Sequence, residues 1–176
     1  VPRGIYDAAA NPVIRALAES YASNLISFKR QVNCVVPIFK ALAKNNLSVV
    51  LFRGLDLSMG AYEDQGLRDI GDIDLIASPE TLGDIRSILK QHGWIADPVL
   101  PNNLSRHGET IDLHSDPFNL SRLRFRKYTM AFQPEIISTE IQESALSDQK
   151  YFRYSPELQF VLLAWHAQKH SYERLS

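Results

Sequence analysis

One stretch, Leu67-Arg68-Asp69-Ile70-Gly71-Asp72-Ile73-Asp74-Leu75-Ile76-Ala77, limits what this chain can become more than any other. It reads as a short buried strand that carries two acids. Side chains alternate across a strand, so Asp72 and Asp74 face one way while Ile73 and Leu75 face the other. Two carboxylates at this spacing repel, and each raises the other's pKa unless a cation lies between them. A divalent metal is the simplest relief, and a hard ion such as Mg²⁺ takes oxygen ligands. Taken alone, Asp-x-Asp fits equally well a strand end whose acids face water.

The surrounding pattern alternates helices and strands, which predicts an α/β (α+β) fold: a mixed sheet flanked by helices. Asn11 caps and Pro12 opens a helix whose apolar residues Val13, Ile14, Leu17, Tyr21, Leu25 and Phe28 recur at helical spacing. A second helix is expected from about Val35 to Lys44, with Pro37 near its start. Ser48 to Phe52 reads as a buried strand ended by Arg53-Gly54. A brief helix (about 55–62) and a polar loop (63–66) follow it. After the acidic stretch, Ser78-Pro79 opens a helix that Gly93 ends. Trp94 to Ala96 is a further strand, and Asp97 to Arg106 a loop. Glu109 to His114 is a strand with Thr110, Asp112 and His114 on one face. Arg122 to Lys127 is a basic run that suits an edge strand, a lid or a solvated face. Ser155-Pro156 starts a last helix through Leu158, Val161, Leu162 and Trp165. The expected divisions are an N-terminal helical segment (1–46), a core (47–135) and a C-terminal helical segment (136–176). The first residues, Val1-Pro2-Arg3-Gly4, lack a Met and read as a processed end. No stop signal follows the last helix, which reads as truncated.

Composition narrows the classes. With 176 residues the chain is one domain, or one domain plus an appendage. A formal net charge of -1 gives no bulk electrostatic footprint for nucleic acid. The single cysteine, Cys34, rules out an internal disulfide and a thiolate zinc cage, and suits a reducing, cytoplasmic compartment. Cys34, Trp94 and Trp165 read as core residues. No apolar run approaches the length of a membrane helix, and no signal peptide is visible.

Asp112 comes from a strand 38 positions beyond Asp74. Two acids at i and i+2, joined by one from a neighbouring strand, can hold one or two divalent ions at a sheet edge. Ions held so are what phosphoryl and nucleotidyl transfer require. Gly54, after an apolar strand, lets a phosphate approach the backbone and the next helix. Arg53 and Arg68 flank the acids and can clamp a triphosphate. Arg68 can also be read as an ion-pair partner of Asp69 or Asp72.

These residues together resemble the nucleotidyltransferase superfamily, the fold of DNA polymerase beta. More closely, Phe52-Arg53-Gly54, the Leu67–Ile76 block, His92-Gly93-Trp94, Ile111-Asp112-Leu113-His114 and Leu163-Ala164-Trp165-His166-Ala167-Gln168-Lys169-His170 resemble one bacterial family. This family, the uncharacterised nucleotidyltransferases, occurs in biosynthetic clusters, including those for lasso peptides. The resemblance runs from about Ala41 to the C-terminus. It implies that Asp72 and Asp74 bind Mg²⁺ and the triphosphate, and that Asp112 completes the metal site and helps deprotonate the acceptor. It also implies an NTP as substrate, ATP among the options, and a hydroxyl acceptor on a small molecule or peptide. The chain departs from the family's usual Lys-Gly at Arg53-Gly54, which keeps the charge and changes the geometry. Leu55 follows Gly54 where the superfamily usually has a hydroxyl residue. In the family the last helix normally continues into a further helical region.

His114 shares a strand face with Asp112 and reads as a phosphate contact, a metal ligand, a base or a structural histidine. His166 and His170, four apart on one helix, have the spacing of a zinc pair, although no Glu follows His166. A zinc-dependent hydrolase using Asp112, His114, His166 and His170 is one alternative function. Another is a catalytically silent nucleotide- or ligand-binding module of the same fold.

Overall fold

The computed structural model describes residues 11–118, 137 and 139–173, with side chains described as far as Ala167 in the last helix. Four helices are present among these residues: α1 (Pro12–Lys44), α2 (Gly54–Gly60), α3 (Leu82–Gln91) and α4 (Pro156–Glu173). The strands are β1 (Val50–Phe52), β2 (Ile73–Ile76), β3 (Ile95–Ala96), β4 (Asn103–Arg106), β5 (Glu109–His114), β6 (Ile141–Leu146) and β7 (Gln149–Tyr154). They form a single 7-stranded mixed sheet in the order β3-β4-β5-β2-β1-β7-β6. The expected α/β class and flanking helices are therefore present. No helix among the described residues is long and apolar enough to cross a membrane.

Strand alternation divides the core in two. On one face, Leu51, Ile73, Leu75, Ile111 and Leu113 are covered by Val35, Ile38, Phe39 and Leu42 of α1 and by Ile85 and Leu89 of α3. On the other, Val50, Phe52 and Ile76 meet Phe118, Tyr154 and the α4 residues Leu158 and Leu162. Trp94 is buried as expected. Trp165 is half-buried and donates its Nε1 hydrogen to the Phe118 carbonyl at 3.0 Å. Cys34 is half-buried against the first face, where burial and then the nearby Glu109 charge push its thiol pKa up.

Several expectations are corrected. The two N-terminal helices are one 33-residue helix with Pro37 in its interior. A proline there costs roughly 3 kcal/mol through the lost N–H and the clash one turn back. Four fully buried neighbours, Val35, Ile38, Phe39 and Leu42, contribute about 1.5–3 kcal/mol each, so packing wins. Pro37 itself is exposed. Pro37→Ala is therefore expected to raise stability by about 1 kcal/mol or more, seen as a higher urea midpoint at unchanged slope.

The presumed loop 97–106 contains β4, joined to β5 by His107-Gly108, both at positive φ (50° and 83°). That is the backbone of a two-residue hairpin turn whose twist suits the flanking strands. The segment 136–176, expected as a C-terminal helical segment, holds the β6–β7 hairpin as well as α4. Ser78 does not cap α3. Its Oγ accepts from Thr81 N at 3.3 Å within a preceding turn, and the helix begins at Leu82. The basic run Arg122–Lys127 lies outside the described residues.

Candidate functional site

The site is built by strand pairing. β2 and β5 run parallel with Asp74 opposite Asp112 and Ile76 opposite His114. β1 pairs antiparallel with β2 and sets Phe52 opposite Asp74. Asp74, Asp112 and His114 thus project from one sheet face, beside Phe52 and on the side of the α4 core. Of the three acids expected to meet, Asp74 and Asp112 stand side by side across separate strands.

Among the described residues, Asp74, Asp112 and His114 are the cluster of acidic and imidazole groups able to share an ion, with one donor atom of each within 4.8 Å of the others. His114 Nε2 lies 3.0 Å from Asp74 Oδ1 and 3.1 Å from Asp112 Oδ2. The Phe52 ring packs edge-on against the imidazole at 5.6 Å and fixes its plane. Burial opposes a charge on His114. The hydrogen bonds and charges of Asp112 and Asp74 outweigh it and push the pKa up to about 9. The imidazole therefore carries a proton at neutral pH in this arrangement.

Asp72 occupies a different position. It immediately precedes β2, is exposed, and falls outside the tight cluster. Its carboxyl pKa is nonetheless raised, first by partial desolvation on its protein side, then by the charges of Asp74 and Asp112. It stands at the rim and within electrostatic reach of both. Gly54 packs tightly beneath it. A Cβ there would lie 3.1 Å from Ile70 Cγ2 and 3.6 Å from the Asp72 carbonyl oxygen.

Arg53 reaches into the cluster, with Nη1 3.2 Å from Asp74 Oδ1 and its guanidinium carbon 4.5 Å from the Phe52 ring centroid. Its backbone sits at φ 59°, ψ -128°, a region that glycine favours. A non-glycine residue there costs on the order of 1–3 kcal/mol and persists only where its surroundings hold it. Arg53→Gly and Arg53→Ala both remove the guanidinium. The Gly variant is expected to be more stable than the Ala variant by about 1 kcal/mol, measured by chemical denaturation. Equal stabilities would show that no strain is stored at this residue.

Arg68 does not pair with Asp69 or Asp72 among the described residues. It donates from Nη1 to the Tyr62 hydroxyl at 3.3 Å and lies over that ring at 5.5 Å. Leu55, the residue after Gly54, carries no hydroxyl and is fully buried in the core. The described cluster does not include His166, and the side chain of His170 lies outside the described residues.

Behind the site is a buried polar knot that sequence reasoning missed. Asp56, in the first turn of α2, is fully buried. Arg153 of β7 grips it side-on, with Nε 3.1 Å from Oδ1 and Nη2 donating to Oδ2 at 3.2 Å. Tyr151 donates to Oδ1 at 3.4 Å, and Gln159 of α4 donates to Oδ2. Desolvation raises the Asp56 pKa to about 6 despite the lowering effect of Arg153. Nothing local to Asp56 signals this, because its partners lie 95 to 103 residues away.

Comparison with known proteins fits this geometry. The structure resembles that of a Thermotoga maritima protein (TM1012) provisionally assigned as a nucleotidyltransferase. The TM-score is 0.61 at 13% identity, over 84% of this chain and 91% of that one. A weaker likeness, TM-score 0.48 at 17% identity, is to ANT(2″)-Ia in complex with adenylyl-2″-tobramycin, over 72% of this chain and 70% of that one. No curated protein matches the sequence significantly. The first likeness shows a shared fold. The sequence also matches a family description, Uncharacterised nucleotidyltransferase, over residues 3–176, which takes in the whole of α1 as well as the acidic strands. With sheet, acidic register and sequence in agreement, the chain belongs to the uncharacterised nucleotidyltransferase family.

Proposed function

We propose that the protein transfers a nucleotidyl group from an NTP to a hydroxyl acceptor on a small molecule or peptide, in a metal-dependent reaction. The observation that carries this reading is the parallel register that sets Asp74 directly beside Asp112, with His114 between their oxygens. Two carboxylates and an imidazole converging on one point suit a divalent cation better than they suit one another. A divalent ion bound there, with Mg²⁺ the usual companion of NTPs, would neutralise phosphate charge and align the reacting oxygens.

The chain's own residues do the rest by position and charge. Asp74, nearly buried and braced by Arg53 and His114, holds a fixed orientation. Asp112 is the more exposed of the pair, its side chain 24% accessible against 6%, and can receive the acceptor's proton. Asp72, at the rim, adds the third carboxylate on the triphosphate side. Arg53 and Arg68 supply the positive charge that meets phosphate oxygens. With only seven residues, α2 has a weak macrodipole, so these full charges outweigh it. Gly54 opens α2 beside Ile70, where a side chain would crowd the packing, and leaves its backbone to meet a phosphate.

NTP labelled separately at the α and γ phosphates, incubated with the protein and a small-molecule extract, tests the reading. Nucleotidyl transfer moves the α label onto an acceptor and releases pyrophosphate. Movement of the γ label alone would mean phosphoryl transfer instead. If neither label moves while NTP still binds, the protein is a binding module, a reading that the buried Leu55 after Gly54 favours.

A further inference from the structure

We propose that His114 is itself a metal ligand, so that the ion site is a mixed one of two carboxylates and one imidazole that prefers Mn²⁺ to Mg²⁺. The inference rests on the metal-dependent reading above and deepens it. Metal bonds of about 2.1 Å at right angles set neighbouring donors about 3.0 Å apart. His114 Nε2 is 3.0 Å from Asp74 Oδ1 and 3.1 Å from Asp112 Oδ2, the spacing of adjacent corners around one such ion. The ring arrives there by construction. His114 is two residues after Asp112 on β5, so both share a face, and the Phe52 edge contact holds the imidazole plane toward the acids. Without a metal the same atoms make an ion pair, with a proton on His114 Nε2 that the incoming cation displaces to solvent, and the measurements below separate the two roles.

The donor set decides the ion. Mg²⁺ strongly prefers oxygen and gives up its waters reluctantly, whereas first-row transition ions accept imidazole readily. Each carboxylate is neutral to this choice, since both kinds of ion take it. The single nitrogen is therefore the selective element, and replacing it with oxygen should erase the preference.

The test loads the full chain with Mn²⁺ alone and Mg²⁺ alone, measured by calorimetry, and examines the Mn²⁺ form by electron spin echo spectroscopy. Wild type is expected to bind Mn²⁺ at least about tenfold more tightly than Mg²⁺ and to show nitrogen modulation from a directly bonded imidazole. His114→Asp, an all-oxygen site, is expected to lose that modulation and most of the tenfold preference. Absence of nitrogen modulation in wild type overturns the inference without recourse to any variant, so a poorly folding His114→Asp does not leave it open. An unchanged Mn²⁺ to Mg²⁺ ratio in folded His114→Asp overturns it as well. If either result comes with intact label transfer, the transfer reading stands and only His114 ligation fails. If neither ion binds wild type, both readings fail together.

Discussion

Asp74→Asn is expected to lower NTP-dependent label transfer by at least about 10³-fold while the protein stays folded. Asn fills the same volume and still accepts a hydrogen bond from Arg53 or His114. It lacks the negative charge that the site needs at its centre. Arg53 and His114 lose a charged partner but keep a hydrogen-bond acceptor of the same shape. Asp74 shares its neighbourhood with Asp72 and Asp112, and the Asp72 pKa is raised first by desolvation and then by the charges of Asp74 and Asp112. Removing one of three mutually repelling charges relieves some of that repulsion, so the thermal midpoint should fall little or even rise. Rates measured beside far-ultraviolet melting curves check both halves. Wild-type turnover in folded Asp74→Asn would sink the proposed role of the cluster.

Arg153→Met is expected to be the most destabilising of the single changes considered, by about 3 kcal/mol. Asp56 is completely enclosed, and Arg153 is the one cation in contact with it among the described residues. Truncating that cation leaves a carboxylate in a poorly polarisable interior. A Met stem fills part of the space, so most of the cost is electrostatic. The pH dependence has a definite sign. The folded pKa of Asp56 is about 6, above its ordinary value of 3.8, so the folded form holds more protons between those limits. The wild-type contribution is therefore fully present below about 4 and declines as pH rises to about 6. In Arg153→Met the decline should extend to higher pH, because loss of the guanidinium raises the folded pKa further. Asp56→Asn combined with Arg153→Met should recover most of the loss, because the pair is then removed as a unit. Denaturant titrations from pH 4 to 8 measure all three, and additive losses in the double variant would refute the coupling.

How much of this was legible beforehand differs by residue. The shared face of Asp112 and His114 was legible because strand alternation is a two-residue rule that needs no partner to apply. The position of Asp72 outside β2 was not, because the strand begins at Ile73 and strand ends are poorly marked in sequence. His114 was visible as a same-face neighbour of Asp112, yet its contact with Asp74 depends on a register set by another strand. β4 was missed although His107-Gly108 is a recognisable turn pair. β6 and β7 were missed because their turn, Ser147-Asp148, lacks the glycine that usually announces a hairpin. Pro37 misled for the opposite reason. A local breaker was outweighed by packing that only the assembled core supplies.

The place of β7 in the sheet bears on how the molecule is made. β1, which ends at the site, lies between β2 and β7, and its Val50 meets Phe152. Roughly 100 residues of chain must leave the ribosome after β1 before that neighbour exists. Until then the nascent strand presents an open edge that only a chaperone or the late hairpin can cover. Slowing translation just before Tyr151 should prolong the interval in which the newborn protein is vulnerable to aggregation.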